Sequence, residues 1–307
     1  MNNMVEIATE KEREELLLLN VQNHPAKDQV FFEQYFQDAF SRNKTYYLEN
    51  DTRIYATMSM QEHPLRFQDK VLLCSYIFGV ATHVDYRGQG AMSELMHYVL
   101  DECAQNYLLT FIEAYNPKIY EKYGFRTVSY RKKLHLSKRD IRIKDMQGIS
   151  NHVDVDVMVQ LYQEFAKRFD CYYLRDREYY LRYVEAIERN GGSIHFCYDE
   201  DNQPLGYAIS YQKNEVVEVD EIIYLDSHTL CKLLRQALQD KENIIVEVSS
   251  NERIEKIFKN IVPRTTSCVM ARINNVPLYE KLYDVKIRSV DEAFYKLKKP
   301  VLLDEKC

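Results

Sequence analysis

The sequence predicts a mixed α/β architecture (α+β) built as two tandem units, each a mixed twisted sheet flanked by helices. Three observations carry this. A chain of 307 residues is long enough for two ordinary domains, each burying its own core. The element order read over residues 1–137 recurs over 138–276, although the residues themselves barely repeat. In the first half, an apolar strand feeds a glycine-containing turn that opens an amphipathic helix, which places a ligand turn at the end of a central strand.

Residues 1–40 are helical in pattern. Residues 6–19 pass from charged to apolar, and FFEQYFQDAF sets Phe31, Phe32, Tyr35, Phe36 and Phe40 on one packing stripe. Segments 44–48 and 54–60 read as strands about a hairpin turn at Asn50-Asp51, and Pro64 marks a break. The central strand, 71–82, is rich in β-formers. After Arg87-Gly88-Gln89-Gly90, the residues Met92, Leu95, Met96, Val99, Leu100 and Cys103 recur at three- and four-residue steps, one face of a helix over 91–105. A strand over 108–114 follows. Asn116-Pro117 opens a helix over 117–123, since Asn suits the cap and Pro the first turn. Gly124 ends it, and 127–136 read as the strand that closes the first unit.

The polar, basic stretch 137–149 is the expected boundary. Beyond it, helical spacing covers 155–169 and 177–189, stopped by Gly191-Gly192. Strands follow over 193–199, 204–212 and 216–225, with a turn at Asp201-Asn202. Ser227 is expected to cap a helix running to residue 238. A strand over 244–248, a short helix over 252–258 and a last strand over 268–273 complete the unit. The tail, 277–307, alternates apolar residues with mixed charge and fits a strand or a short helix–strand piece.

Turns of the Arg87-Gly88-Gln89-Gly90 kind cradle anions. Glycine lets the backbone approach a phosphate closely, and the free N–H groups of the first helical turn point at it. Four of the chain's 8 glycines (Gly79, Gly88, Gly90, Gly124) lie between residues 71 and 125, so backbone freedom is concentrated there. At the corresponding place in the second half stands Asp226-Ser227-His228-Thr229-Leu230, with neither glycine nor arginine. That half is therefore expected to have no cofactor site.

A formal charge of −6 argues against nucleic acid as the main ligand and is compatible with a cationic substrate. The cysteines, at 74, 103, 171, 197, 231, 268 and 307, form no Cys-x-x-Cys and no His-Cys cluster, so reduced thiols in a cytoplasmic protein and no metal site are expected. Neither a signal-peptide layout nor an apolar run of membrane-spanning length occurs, and no membrane partner is expected. The abundance of Tyr (25) beside the absence of Trp has no functional explanation in the sequence.

The run VDYRGQGAM (84–92) resembles motif A of the GCN5-related N-acetyltransferases (the GNAT superfamily). YNPKIYEKYGF (115–125) resembles their motif B, with a tyrosine four positions before Gly-Phe. Where the usual motif has Gly or Ala two residues after the last glycine, this chain has Met92. That departure and the long second half narrow the resemblance to the Eis-like acetyltransferases, which place two GNAT-type domains before a sterol-carrier-like domain. LYQEFAKRFDCYYLRDREYY (161–180), GYAISY (206–211), VDEIIYLD (219–226) and VMARINNV (269–276) are similar to the second of those domains. The resemblance covers roughly residues 25 to 276, and too few residues follow for a third domain with its own core.

This resemblance implies acetyl-CoA as cosubstrate. Arg87, Gly88, Gln89, Gly90, Ala91 and Met92 would anchor its pyrophosphate, with a hydroxyl from Ser93. Val80 and Thr82 would offer backbone groups to the pantetheine and the acetyl carbonyl. Tyr120 aligns with the family's thiolate-protonating tyrosine, the general acid, while Tyr123 reads as its core neighbour. Asn116 serves either the cofactor arm or the helix cap. For the general base the candidates are Glu113 at the strand end and His83 beside the turn, each equally readable as polar surface. In the family the main-chain carboxylate at the chain's end acts as base, a role not carried over to Cys307. The implied activity is N-acetylation of a primary amine: an aminoglycoside, a polyamine or a lysine side chain. A non-catalytic CoA-binding sensor or scaffold is the alternative, and a peptide or protein acyltransferase using another acyl chain is a third. Homo-oligomer formation stays open.

Overall fold

The computed structural model describes residues 4–258 and 260–304. The chain forms two compact units. Unit 1 takes the residues up to Leu65, then Val71–Val128 and Val269–Lys296; unit 2 takes Arg66–Lys70, Ser129–Cys268 and the residues from Leu297 on.

In chain order, unit 1 begins with β1 (Glu6–Ile7), α1 (Arg13–Asn23) and α2 (Ala26–Gln34), whose last turn runs into a π-helical turn at Tyr35–Ala39. Then come β2 (Lys44–Asn50), β3 (Arg53–Phe67), β4 (Lys70–Thr82), α3 (Ala91–Asn106), β5 (Leu109–Glu113), α4 (Lys118–Glu121) and β6 (Arg126–Thr127). Unit 2 follows with β7 (Tyr130–Ser137), β8 (Ile149–Ser150), α5 (Val155–Ala166), β9 (Cys171–Tyr173), α6 (Arg177–Arg189), β10 (Ser193–Tyr198), β11 (Pro204–Lys213), β12 (Val216–Tyr224), α7 (Ser227–Leu238), β13 (Asn243–Ser249) and β14 (Arg264–Ser267). The chain then re-enters unit 1 as β15 (Val269–Ile273), α8 (Val276–Tyr283) and α9 (Val290–Tyr295), and β16 (Val301–Leu302) ends in unit 2.

Both sheets obey one plan. In unit 1 the order is β1-β2-β3-β4-β5-β15-β6; in unit 2 it is β14-β7-β13-β12-β11-β10-β8. Each plan has a parallel pair, β4 with β5 and β12 with β13, joined by a crossover helix, α3 or α7. An antiparallel strand then flanks the second member of the pair: β15 beside β5, and β7 beside β13.

Here the structure corrects the sequence reading. Residues 127–136 were expected to close the first sheet, and 268–273 to close the second. Instead β7 joins the second sheet and β15 the first. The inward side chains decide this, for Leu134 and Leu136 enter the core of unit 2 while Met270 enters that of unit 1. The boundary accordingly falls after Val128 rather than at residue 137, and again between Cys268 and Val269. Pro64 does not break a strand: β3 runs through it, beyond the end of the β2 ladder at Lys44↔Met60, where β2 does not need the missing N–H. The helix expected over 6–19 starts only at Arg13, after the short strand β1. Asp226 rather than Ser227 caps α7, and 252–258 hold a 3-10 turn at Ile254–Lys256.

The sheet of unit 1 carries a core on each face. Leu95, Met96, Val99 and Leu100 of α3 pack on one, and Leu16, Leu19, Phe32, Tyr35 and Phe36 on the other. Phe31, expected in the same stripe, is 42% exposed. No helix among the described residues is long and apolar enough to cross a membrane.

Asn274 ties the returning strand down. Its Nδ2 donates to the Tyr107 carbonyl at 2.9 Å and to Thr110 Oγ1 at 2.8 Å, and its backbone N–H donates to the Leu108 carbonyl at 2.9 Å. Asn274→Ala is expected to cost about 1–3 kcal/mol, seen as a lower urea midpoint with an unchanged slope.

Candidate functional site

The site is shaped by one irregularity in β4. Ile77 faces the α3 side and Phe78 the α1–α2 side, yet Val80 packs on the α3 side and Ala81 on the other, so the alternation slips by one residue at Gly79. Gly79 has φ +59°, and a Cβ there would lie 3.2 Å from Asn20 Oδ1 and 3.4 Å from both Phe32 Cε1 and Ser59 Oγ. Glycine is thus required by backbone angle and by space. Next to this bulge the parallel pair parts. The register of β4 on β5 runs from Ser75↔Thr110 to Ile77↔Ile112, while β4 continues to Thr82 and β5 stops at Glu113.

Beyond β4, His83 and a 3-10 turn at Val84–Tyr86 lead to the glycine turn. Tyr86 stacks on Tyr55 with centroids 4.6 Å apart and accepts from Asn50 Nδ2 at 2.8 Å, which fixes the turn's near side. Gln89 Nε2 donates to the Asp85 carbonyl at 2.8 Å, bracing it internally. Gly88 (φ +76°) and Gly90 (φ +94°) are left-handed, and a Cβ added at either would meet nothing within 4 Å. Gly90 caps α3 without any side-chain hydrogen bond. The first N–H groups of α3, from Ala91, Met92 and Ser93, therefore have no side-chain cap at the positive end of a long helix. Open space before two glycines and unclaimed donors fit a pyrophosphate.

Arg87 is exposed, but it is placed. Its Nε donates to the Thr82 carbonyl at 3.1 Å and its Nη2 to Asn23 Oδ1 at 2.7 Å. Asn23 is itself held, its Nδ2 donating to the Leu19 carbonyl at 2.7 Å. Nothing local in the sequence singles Asn23 out, since its partner lies in another element. Arg53 Nη1 lies 2.9 Å from His83 Nε2, so that ring nitrogen is engaged as an acceptor and His83 braces the turn.

From the motif B segment, Tyr123 reaches back to α3: its hydroxyl donates to Ser93 Oγ at 2.8 Å and lies 3.6 Å from Met92 Sδ. Because the Tyr123 hydroxyl donates, the Ser93 hydroxyl keeps its own proton to donate. Tyr120 packs against the same core as Val80 and Met92, edge-on to Phe125 with centroids 6.4 Å apart. Burial pushes its phenol up to about 12, with Tyr123 adding to the shift. Pro117, not Asn116, caps α4; the Asn116 carbonyl accepts from the Ile119 N–H at 3.2 Å and its side chain is exposed. Glu113 is exposed at the end of β5, opposite Val269. Cys307 lies outside the described residues.

Unit 2 shows the opposite arrangement at the matching helix end. The Asp226 carboxylate accepts from the N–H groups of His228 (2.8 Å) and Thr229 (2.9 Å) and from Thr229 Oγ1 (2.8 Å). The chain's own anion fills the place where α3 leaves its donors open. Among the described residues there is no group of three or more His, Cys, Asp or Glu side chains able to hold a metal ion.

Residues 5–128 match the family model for an acetyltransferase (GNAT) domain. No curated protein matches the chain in sequence. Among solved structures, a protein of unknown function from Enterococcus faecalis V583, described as a probable N-acyltransferase, superposes with a TM-score of 0.76 at 18% identity, over 89% of this chain and 72% of that one. A GCN5-related N-acetyltransferase from Anabaena variabilis gives 0.72 at 15% identity, covering 89% and 74%. Eis1 from Mycobacterium abscessus gives 0.65 at 10% identity, again covering 89% and 74%. These are likenesses of fold, and they extend over both units.

Asp226→Ala is expected to destabilise the protein by about 1 kcal/mol through loss of the cap. Burial works against the charged form, but the Thr229 and His228 hydrogen bonds prevail and hold its pKa below the ordinary 3.8. A depressed folded pKa means that the stabilisation is complete above the ordinary value and is lost as pH falls through the folded one. Denaturation midpoints of wild type and Asp226→Ala should therefore converge below about pH 4.

Proposed function

We propose that unit 1 is an acetyl-CoA-dependent N-acetyltransferase that acts on a primary amine of the aminoglycoside, polyamine or lysine side-chain class. The observation that carries this reading is the open, glycine-capped N-terminus of α3 beside the parting of β4 from β5, within the stretch that matches an acetyltransferase domain. Acetyl-CoA, when bound, supplies an activated acetyl group as a thioester. The chain's part is to bind, orient and move protons.

The N–H groups of Gly88, Gln89, Gly90, Ala91 and Met92 would hold the pyrophosphate. Arg87 would add charge-assisted hydrogen bonds from a guanidinium already aligned by Asn23, and Ser93 its hydroxyl. Backbone groups of Val80 and Thr82, past the bulge, would orient the pantetheine and polarise the acetyl carbonyl. Tyr120 would give the leaving thiolate its Oη proton. A phenol raised to about 12 stays protonated across the neutral range, so the proton is present to be donated. Glu113 would take the proton of the incoming amine, directly or through water. Unit 2, with Asp226 over its helix end, would bind no CoA and serve as scaffold.

The test is thiol release from acetyl-CoA across aminoglycosides, polyamines and lysine peptides. Turnover with one amine class is expected, and Tyr120→Phe should lower kcat by about 10²–10⁴-fold while CoA still binds. With the phenol pushed up to about 12, kcat should show no alkaline fall below about pH 11. CoA binding without turnover on any amine would favour the sensor reading instead.

A further inference from the structure

The parallel strands of unit 2 also part, and there the chain's own C-terminal segment lies beside the opening. β12 and β13 pair from Val216↔Asn243 to Val219↔Val246, while β12 runs on to Tyr224 and β13 to Ser249. Residues 299–304 meet side chains from both sides of this parting. Ser249 Oγ, at the end of β13, donates to the Val301 carbonyl at 3.5 Å. Arg175 Nη2 donates to the Asp304 carbonyl at 2.6 Å, and its Nη1 to Glu221 of β12 at 2.5 Å. The Asp304 carboxylate pairs with Arg131 of β7. On its other flank the segment is added as a strand, Val301 and Leu302 pairing in parallel with Cys171 and Tyr172 of β9. The Asp170 N–H donates to the Pro300 carbonyl at 2.9 Å, and the Lys299 N–H to the Asp170 carboxylate at 2.8 Å.

What reads the segment is built rather than incidental. Arg175 is only 4% exposed, its guanidinium stands 4.4 Å from the Tyr162 ring centre and 5.0 Å from that of Tyr179, and its Nε has no protein partner. Glu221, which orients it, also accepts from the Tyr207 hydroxyl at 2.6 Å. Val301 and Leu303, two residues apart, are 5% and 2% exposed, so alternate side chains of an extended strand are buried. Main-chain carbonyls and strand pairing would supply affinity; two buried apolar side chains and a carboxylate would supply specificity. That is strand-addition recognition.

We propose that this cleft of unit 2 is a peptide-binding site, selective for an extended segment with two inward apolar residues spaced by two and followed by Asp, and that residues 299–304 are its resident, exchangeable ligand. The segment follows an exposed stretch, Tyr295, Lys296, Lys298 and Lys299, so its release would expose only its own buried side chains and the part of the core on which Leu302 packs.

The test keeps every residue. A specific protease site inserted between Lys296 and Leu297 of the full chain is cut, and the tail is challenged with fluorescein-labelled KKPVLLDEKC. The released tail is expected to co-elute with the body and to exchange for the labelled peptide, with saturable anisotropy. Replacing Asp304 by Ala in the peptide, or Arg131→Ala in the body, should weaken binding at least roughly tenfold. Equal binding of a scrambled peptide, or a tail that elutes free from a folded body, would overturn the proposal. Amide exchange in the uncut chain decides the matter independently of the variants. Val301 and Leu302 should exchange through an opening that leaves β11 to β13 protected; exchange only upon global unfolding would mark a permanent strand and refute an exchangeable ligand.

Discussion

Gly79 is the constraint on which the rest of unit 1 depends. A left-handed residue inside a central strand shifts the side-chain alternation, and it sits where β4 and β5 cease to pair. Two consequences follow from that one backbone angle. Main-chain groups of Val80 to Thr82 have no sheet partner on the β5 side. The strand is also aimed so that the glycine turn delivers α3 with its N-terminus facing open space. Asn20 of α1, Phe32 of α2 and Ser59 of β3 close the space that a side chain at Gly79 would need.

The two units share a topology but have resolved the same physical problem differently. A helix N-terminus leaves donors without intrahelical partners, and something has to satisfy them. In unit 2 the Asp226 carboxylate does so permanently, with three hydrogen bonds. In unit 1 Gly90 offers no side chain, leaving the positive helix end to water or to a bound anion. The strand partings differ in the same sense, for that of unit 2 is lined by a buried Arg175–Glu221 pair and met by the chain's own tail. Self-occupation of both features in unit 2 contrasts with the open helix end of unit 1 more sharply than the lack of glycine alone.

Much of the fold was legible because it is local. The apolar face of α3, the helical spacing of α5 and α6 and the strand–turn–helix order are written in contiguous residues, and so is the glycine turn. Sheet membership was not legible. Tyr130–Ser137 and Val269–Ile273 are both plausible closing strands for either sheet, and only the cores that receive Leu134, Leu136 and Met270 distinguish them. Pro64 misled for a related reason, since its cost depends on whether a neighbour strand needs its N–H. Within the site, Asn23 on Arg87 and Tyr123 on Ser93 are tertiary contacts across 64 and 30 positions, which no spacing rule reaches.

The most direct measurement is titration calorimetry of acetyl-CoA into the intact chain and into Arg87→Glu. Saturable binding at one site per chain is expected for the wild type, and the substitution should weaken it by roughly a hundredfold, since it replaces charge-assisted donors with a like charge beside the pyrophosphate. Absence of binding to the wild type, or equal binding to both, would contradict the assignment of the glycine turn as the cosubstrate site.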